Sequence, residues 1–203
     1  MSTDPLALQD KERPASYREQ VDFFAAAATQ ADIVMVGDSI LGRVQWRDWL
    51  PGVEISNRAI PGDYAAWLPD RLDSVIAARA DRAILLVGIN DAVAGRSAET
   101  IHRDILTTVA RLDDAGIAVT VLSPLPCTAS ADYCLDANRT IAALDAMLAT
   151  NPGPNARFVD LRPVLAPGGA LREEFSEDGT HLNPRGVEAL VRALPADLHK
   201  TAN

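Results

Sequence analysis

The chain has 203 residues, 48% hydrophobic and 23% charged, which is enough apolar length for one domain with a substantial core. Its 28 acidic residues outnumber 19 basic ones and leave a net charge of −9. That balance argues against a nucleic-acid binder, which needs a basic face for phosphates, and no apolar run approaches the length of a bilayer span.

The opening segment MSTDPLALQDKERP has neither the basic nor the apolar region of a signal peptide, so a cytoplasmic location is expected. Tyr17, Val21, Phe24 and Ala28 then recur at helical spacing and predict a helix over about 14–29. IVMV (33–36) reads as a buried strand and runs into Gly37-Asp38-Ser39. VEIS (53–56) alternates more and suits an edge strand. Trp67, Leu72, Val75 and Ile76 predict a helix whose start Pro69 delays or kinks. AILLV (83–87) is apolar throughout, and Gly88-Ile89-Asn90-Asp91 follows it. Ser97 precedes a helix carrying Ile101, Ile105, Val109 and Leu112, with Gly116 as its stop.

IAVTVL (117–122) is the fourth strand pattern. Beyond it stand the chain's two cysteines, Cys127 and Cys134. They read as free thiols of a reducing compartment, with a local disulfide as the alternative. Two cysteines without nearby histidines build no zinc site. Ile141, Leu144 and Leu148 mark another helix, ended by the turn NPGP at 151–154. RFVDL (157–161) is the fifth strand pattern. Asn183 and Pro184 open a last helix with Val187, Leu190, Val191 and Leu194 on its buried stripe. Strands alternating with helices predict a single three-layer α/β/α domain over residues 1–203, its core about 30–195, around a mostly parallel sheet.

In such sheets ligands bind beyond the carboxyl ends of the strands. Ser39, the stretch 57–63 with Gly62, Asn90, and the late loop Asp178-Gly179-Thr180-His181 occupy those places. Singly, each reads as a cap or turn residue. Together they supply a nucleophile (Ser39), a base (His181) and a group that orients the base (Asp178). The Ser39 and Gly62 amides and the Asn90 side chain complete the set as donors for an oxyanion. Gly62 suits that position because a missing Cβ lets an acyl group approach. Of the three histidines, His102 reads as a packing or surface residue and His199 as part of a solvated tail. Asp38 and Asp63 read as caps or turn braces. Trp46 and Trp49 read as core, with the acyl pocket as the alternative for one of them, and Arg43 and Arg58 read as solvated, with contact to an anionic substrate as the alternative.

These blocks make the sequence resemble the SGNH hydrolases, the GDSL-type esterases and lipases. GDSI (37–40) matches the Ser block and NRAIPGD (57–63) the Gly block. GIND (88–91) matches the Asn block and DGTHLN (178–183) the Asp-x-x-His block. Ile40 replaces the usual Leu, and Ala59 a common Gly. The NRAIPGD form also resembles the branch of platelet-activating-factor acetylhydrolase-like esterases. The resemblance implies a flavodoxin-like five-stranded parallel sheet ordered 2-1-3-4-5, and serine-hydrolase chemistry without metal or organic cofactor. The α/β-hydrolase elbow Gly-x-Ser-x-Gly is excluded, because Leu41 stands at its second Gly. The function expected is hydrolysis of small or short-acyl carboxylic esters through an acyl-enzyme on Ser39. The alternatives are acyl transfer to an alcohol or sugar at the same site, and a non-catalytic binding module. The expected partner is a small-molecule ester, without nucleic acid or membrane span.

Overall fold

Side-chain alternation along the first strand sets the layering. In the computed structural model, which describes residues 13–27 and 30–200, β1 spans Ile33–Gly37. Its period of two sends Ile33 and Met35 into one core and Val34 and Val36 into the other. The opening segment to Glu12, and Ala28 of the first helix pattern, lie outside the described residues.

Four more strands pair with β1 in one parallel sheet: β2 (Ile55–Asn57), β3 (Arg82–Leu86), β4 (Ala118–Leu122) and β5 (Arg157–Val159). Their order is β2-β1-β3-β4-β5, the order implied by the resemblance, and the alternating second strand sits at an edge. β2 starts two residues later than the VEIS pattern, because the Val53 amide turns back to the Leu50 carbonyl at 3.2 Å. β5 stops before Asp160 and Leu161. The Leu161 amide leaves the ladder to donate to Ser123 Oγ at 2.8 Å, and Asp160 turns to Arg162.

One core lies between the sheet and α4 (Leu72–Ile76), α6 (Ala98–Asp114) and α7 (Leu135–Thr150). Leu72, Ile101, Ile105, Val109, Leu112, Leu144 and Leu148 fill it. The other lies under α2 (Ser39–Gly42), α3 (Trp46–Trp49), α8 (Arg162–Leu165) and α9 (Pro184–Ala193). Pro69 delays α4 as expected: 3₁₀ turns at Ala65–Trp67 and Pro69–Arg71 precede it. Helix α1 (Ala15–Ala26) packs Tyr17 and Phe24 against Ile60 and Trp67 in a small third cluster. Helix α5 (Ile89–Val93) follows β3 directly.

Two expectations are corrected. Arg58 is not solvated but 2% exposed. Its guanidinium donates to the Phe24 carbonyl at 2.9 Å and to the Ala27 carbonyl, closing the exposed end of α1. Cys127 and Cys134 are not free thiols but a disulfide, their Cα atoms 6.0 Å apart. The 3₁₀ turn Asp132–Cys134 folds the chain back and brings the second sulfur under the first. Among the described residues no helix is long and apolar enough to cross a membrane.

Candidate active site

The sheet delivers three of the anticipated residues to one edge. Ser39 leaves β1 at the first position of α2, and Asp38 caps that helix by accepting from the Ile40 amide at 2.9 Å. Asn90 leaves β3 on α5. Gly62 lies in the turn after β2, at φ +82°, a conformation that L side chains rarely adopt. A Cβ there would meet nothing within 4 Å. Backbone conformation, more than crowding, therefore demands glycine.

The fourth block arrives from the far end of the chain. His181 Nε2 lies 2.8 Å from Ser39 Oγ across 142 residues of sequence. His181 Nδ1 lies 2.6 Å from Asp178 Oδ2, while Asp178 Oδ1 accepts from the His181 amide at 2.8 Å and the Thr180 amide at 3.0 Å. Burial works against the charged form of Asp178. The His181 and Thr180 amides and the imidazole outweigh it, and hold this carboxyl well below the usual carboxylate range. Asn183 anchors the loop: its side chain accepts from the Gly186 amide at 3.1 Å and donates to the Glu174 carbonyl at 3.0 Å.

On the opposite side, the Asn90 side chain donates to the Asp63 carbonyl at 2.9 Å, which fixes the turn that carries Gly62. The Ser39 and Gly62 amides have no intramolecular acceptor among the described residues. Ser39, Gly62, Asn90, Asp178 and His181 are thus gathered at one end of the sheet. His102, 8% exposed and bonded to the Asn151 carbonyl at 2.8 Å, and the exposed His199 lie apart from it.

A second layer was not legible in the sequence. Buried Arg71 donates to Asp63 at 2.8 Å, to the Arg58 carbonyl at 2.6 Å and to the Gly37 carbonyl at 3.3 Å. It pins the ends of β1 and β2 to the Gly62 turn. Asp91 accepts from the Ala65 amide at 3.0 Å and pairs with Arg96, which also meets Asp104. Burial pushes the Asp91 carboxyl up to about 6 and the Asp38 carboxyl up to about 7. Asp38 Oδ2 has no hydrogen-bond partner among the described residues. The signal available in sequence was only an Asp within each of the first three blocks (Asp38, Asp63 and Asp91), which says nothing about which arginine answers it.

A cleft of about 280 Å³ opens beside Ser39 and His181. Val44, Trp49, Leu182 and Val187 form apolar walls, with Arg43 at the rim 3.9 Å from Asp178. Of the two tryptophans, Trp46 is core, its indole donating to the Leu41 carbonyl at 3.1 Å, and Trp49 faces the cleft.

Residues 35–189 match the model of the GDSL-like lipase/acylhydrolase family. No curated protein sequence matches the chain. Among solved structures, a Streptococcus pneumonia protein named for platelet activating factor superposes with a TM-score of 0.80 at 21% identity. That match covers 97% of this chain and all (100%) of the other. A GDSL-like lipase from Bacteroides thetaiotaomicron gives 0.69 at 20% identity, covering 88% and 95%. The psychrotrophic esterase EstA from Pseudoalteromonas sp., whose structure was solved inhibited by monoethylphosphonate, gives 0.59 at 13% identity, covering 79% and 92%. At these identities the structural likeness is one of fold. Four blocks in order, the 2-1-3-4-5 sheet and the matched family model together place this chain in the GDSL-like lipase/acylhydrolase family, the SGNH serine hydrolases.

Proposed function

We propose that the chain hydrolyses small or short-acyl carboxylic esters through an acyl-enzyme on Ser39. The observation that carries this reading is the Ser39–His181–Asp178 relay, with contacts of 2.8 and 2.6 Å. His181 Nε2 takes the Ser39 proton as Oγ attacks the ester carbonyl. Asp178 holds the ring in the tautomer with Nδ1 protonated and favours the imidazolium that forms. The oxyanion is met by the Ser39 and Gly62 amides, which have no other acceptor among the described residues, and by the second amide proton of Asn90. His181 then protonates the leaving alcohol, and water repeats the cycle on the acyl-enzyme.

Substrate size follows from the walls. A cleft of about 280 Å³ holds a short acyl chain or a small alcohol moiety. The cleft is open to water, which favours hydrolysis over transfer. The test is labelling with a fluorophosphonate and a chain-length series of p-nitrophenyl esters. Labelling maps to Ser39, activity falls with acyl length, and Ser39→Ala drops to background. Retention of most activity in purified Ser39→Ala protein would falsify the assignment. Product analysis with added alcohol or sugar acceptors measures any transfer.

A further inference from the structure

The segment from Cys127 to Cys134 lies against the Asp178–His181 loop, yet no step of the reaction uses it. The disulfide ties its two ends. Asn138 clamps its base, accepting from the Cys127 amide at 2.8 Å and donating to the Cys127 carbonyl at 3.0 Å. On its outer side, Glu173 accepts from the Ser130 amide at 3.1 Å and the Ser130 hydroxyl at 2.9 Å.

From this closed ring, contacts reach the residues between Asp178 and His181. The Thr128 amide donates to the Gly179 carbonyl at 2.8 Å. The Tyr133 hydroxyl lies 2.5 Å from the Thr180 hydroxyl and donates to the Asp178 carbonyl at 3.4 Å. Cys127 Sγ itself lies 3.5 Å from Thr180 Oγ1. The two segments approach so closely that a Cβ on Gly179 would stand 2.9 Å from the Ala131 Cβ and 3.1 Å from Thr128 Oγ1. The supported loop is otherwise a surface feature, with the Asp178 side chain 53% exposed. A base and its orienting acid on such a loop need a rigid neighbour, because a misplacement of about 1 Å costs on the order of 10² in rate.

We propose that the disulfide-closed ring 127–134 positions the Asp178–His181 loop, with Thr128 and Tyr133 as its positioning residues, and that opening the disulfide lowers turnover at Ser39. The proposal rests on the serine-hydrolase reading above. Opening proceeds by thiol–disulfide exchange with a dithiol: one thiolate attacks a cysteine sulfur, and the second thiol resolves the mixed disulfide. The products are two cysteine thiols and one oxidised cyclic dithiol, with two electrons and two protons passing to the protein. Both cysteines are fully buried, so exchange requires a local unfolding that exposes the disulfide and is slow.

The test compares oxidised wild type, dithiothreitol-reduced wild type, the double variant C127S/C134S and Tyr133→Phe on p-nitrophenyl acetate. Hydrogen exchange over residues 176–183 is followed in parallel. The reduced protein and the double variant lose about 10²-fold in kcat with KM nearly unchanged, and reoxidation restores the wild type. The double variant is indifferent to dithiothreitol. Tyr133→Phe, which keeps the ring and the fold, loses up to about tenfold in kcat. Exchange at 178–181 quickens in all three. An unchanged kcat in the double variant and in Tyr133→Phe overturns the proposal, as does unchanged exchange at 178–181. A wild type that neither hydrolyses the ester nor labels at Ser39 sinks the hydrolase reading instead. The exchange rates, which need no turnover, then decide the loop coupling by themselves.

Discussion

Ser39 combines two roles that compete in a sequence and coexist in the fold. It begins α2, where Asp38 takes the Ile40 amide while the Ser39 amide has no acceptor among the described residues, so the residue that presents Oγ also presents an N–H. In the proposed reaction Asn90 supplies the third donor, and in the fold it grips the Asp63 carbonyl. Asn90→Ala is expected to lower kcat by about 10²–10³ with little change in KM, measured on p-nitrophenyl acetate. Asp38 offers a test of burial. Its carboxyl is pushed up to about 7, first by burial. A folded value above the unfolded one means that stability is full below about pH 4 and is lost as pH rises through about 7. Asp38→Asn keeps a capping oxygen and removes the charge. It is expected to raise unfolding free energy by on the order of 2 kcal/mol at pH 8, with no gain at pH 4, as read from urea titrations.

At the scale of elements, α9 holds the late loop in place. Its stripe of Val187, Leu190 and Val191 packs on the sheet face that carries Ile33 and Met35, and Asn183 caps it while bonding back to Glu174. Asn183→Ala is expected to cost about 1 kcal/mol of stability, seen as a lowered urea midpoint, and to lower kcat through the displaced His181. Leu190→Ala opens a cavity under the same helix and costs about 2–5 kcal/mol by the same measurement. Helix α1 works similarly for the other half of the site: Arg58, reaching its last carbonyls, fastens it beside the Gly62 turn.

Across the whole molecule, buried carboxylates set the response to pH. Asp38 and Asp145 are raised to about 7 and Asp91 to about 6, in each case first by burial. Their neutral forms suit the fold, so each sheds stability between about pH 4 and its own raised value. Asp178 runs the other way, and its contribution is lost only in acid; at 53% exposure that contribution is small. The melting temperature is therefore expected to be higher at pH 5 than at pH 8, and Asp38→Asn flattens that slope.

What could be read from residues alone was what neighbours in the chain enforce. Strands at 33, 83 and 117 announced themselves as apolar runs, because a sheet covered on both faces has no polar side. The helices showed their stripes, and Pro69 delayed α4 as its ring requires. Ser39, Gly62 and Asn90 could be anticipated because a parallel sheet sends all its strand ends to one edge, so position along the chain becomes position in space. The Asp178–His181 pair, well beyond the end of β5, was marked only by its own Asp-x-x-His spacing. Only the tertiary structure decided the rest. Arg58 is buried because α1, some thirty residues earlier, offers it carbonyls. Cys127 and Cys134 pair because a 3₁₀ turn folds one back on the other. Tyr133 matters because Thr180, 47 residues away, lies against it. These are contacts between segments that share no periodicity, and a chain carries no local mark of a partner that only folding brings near.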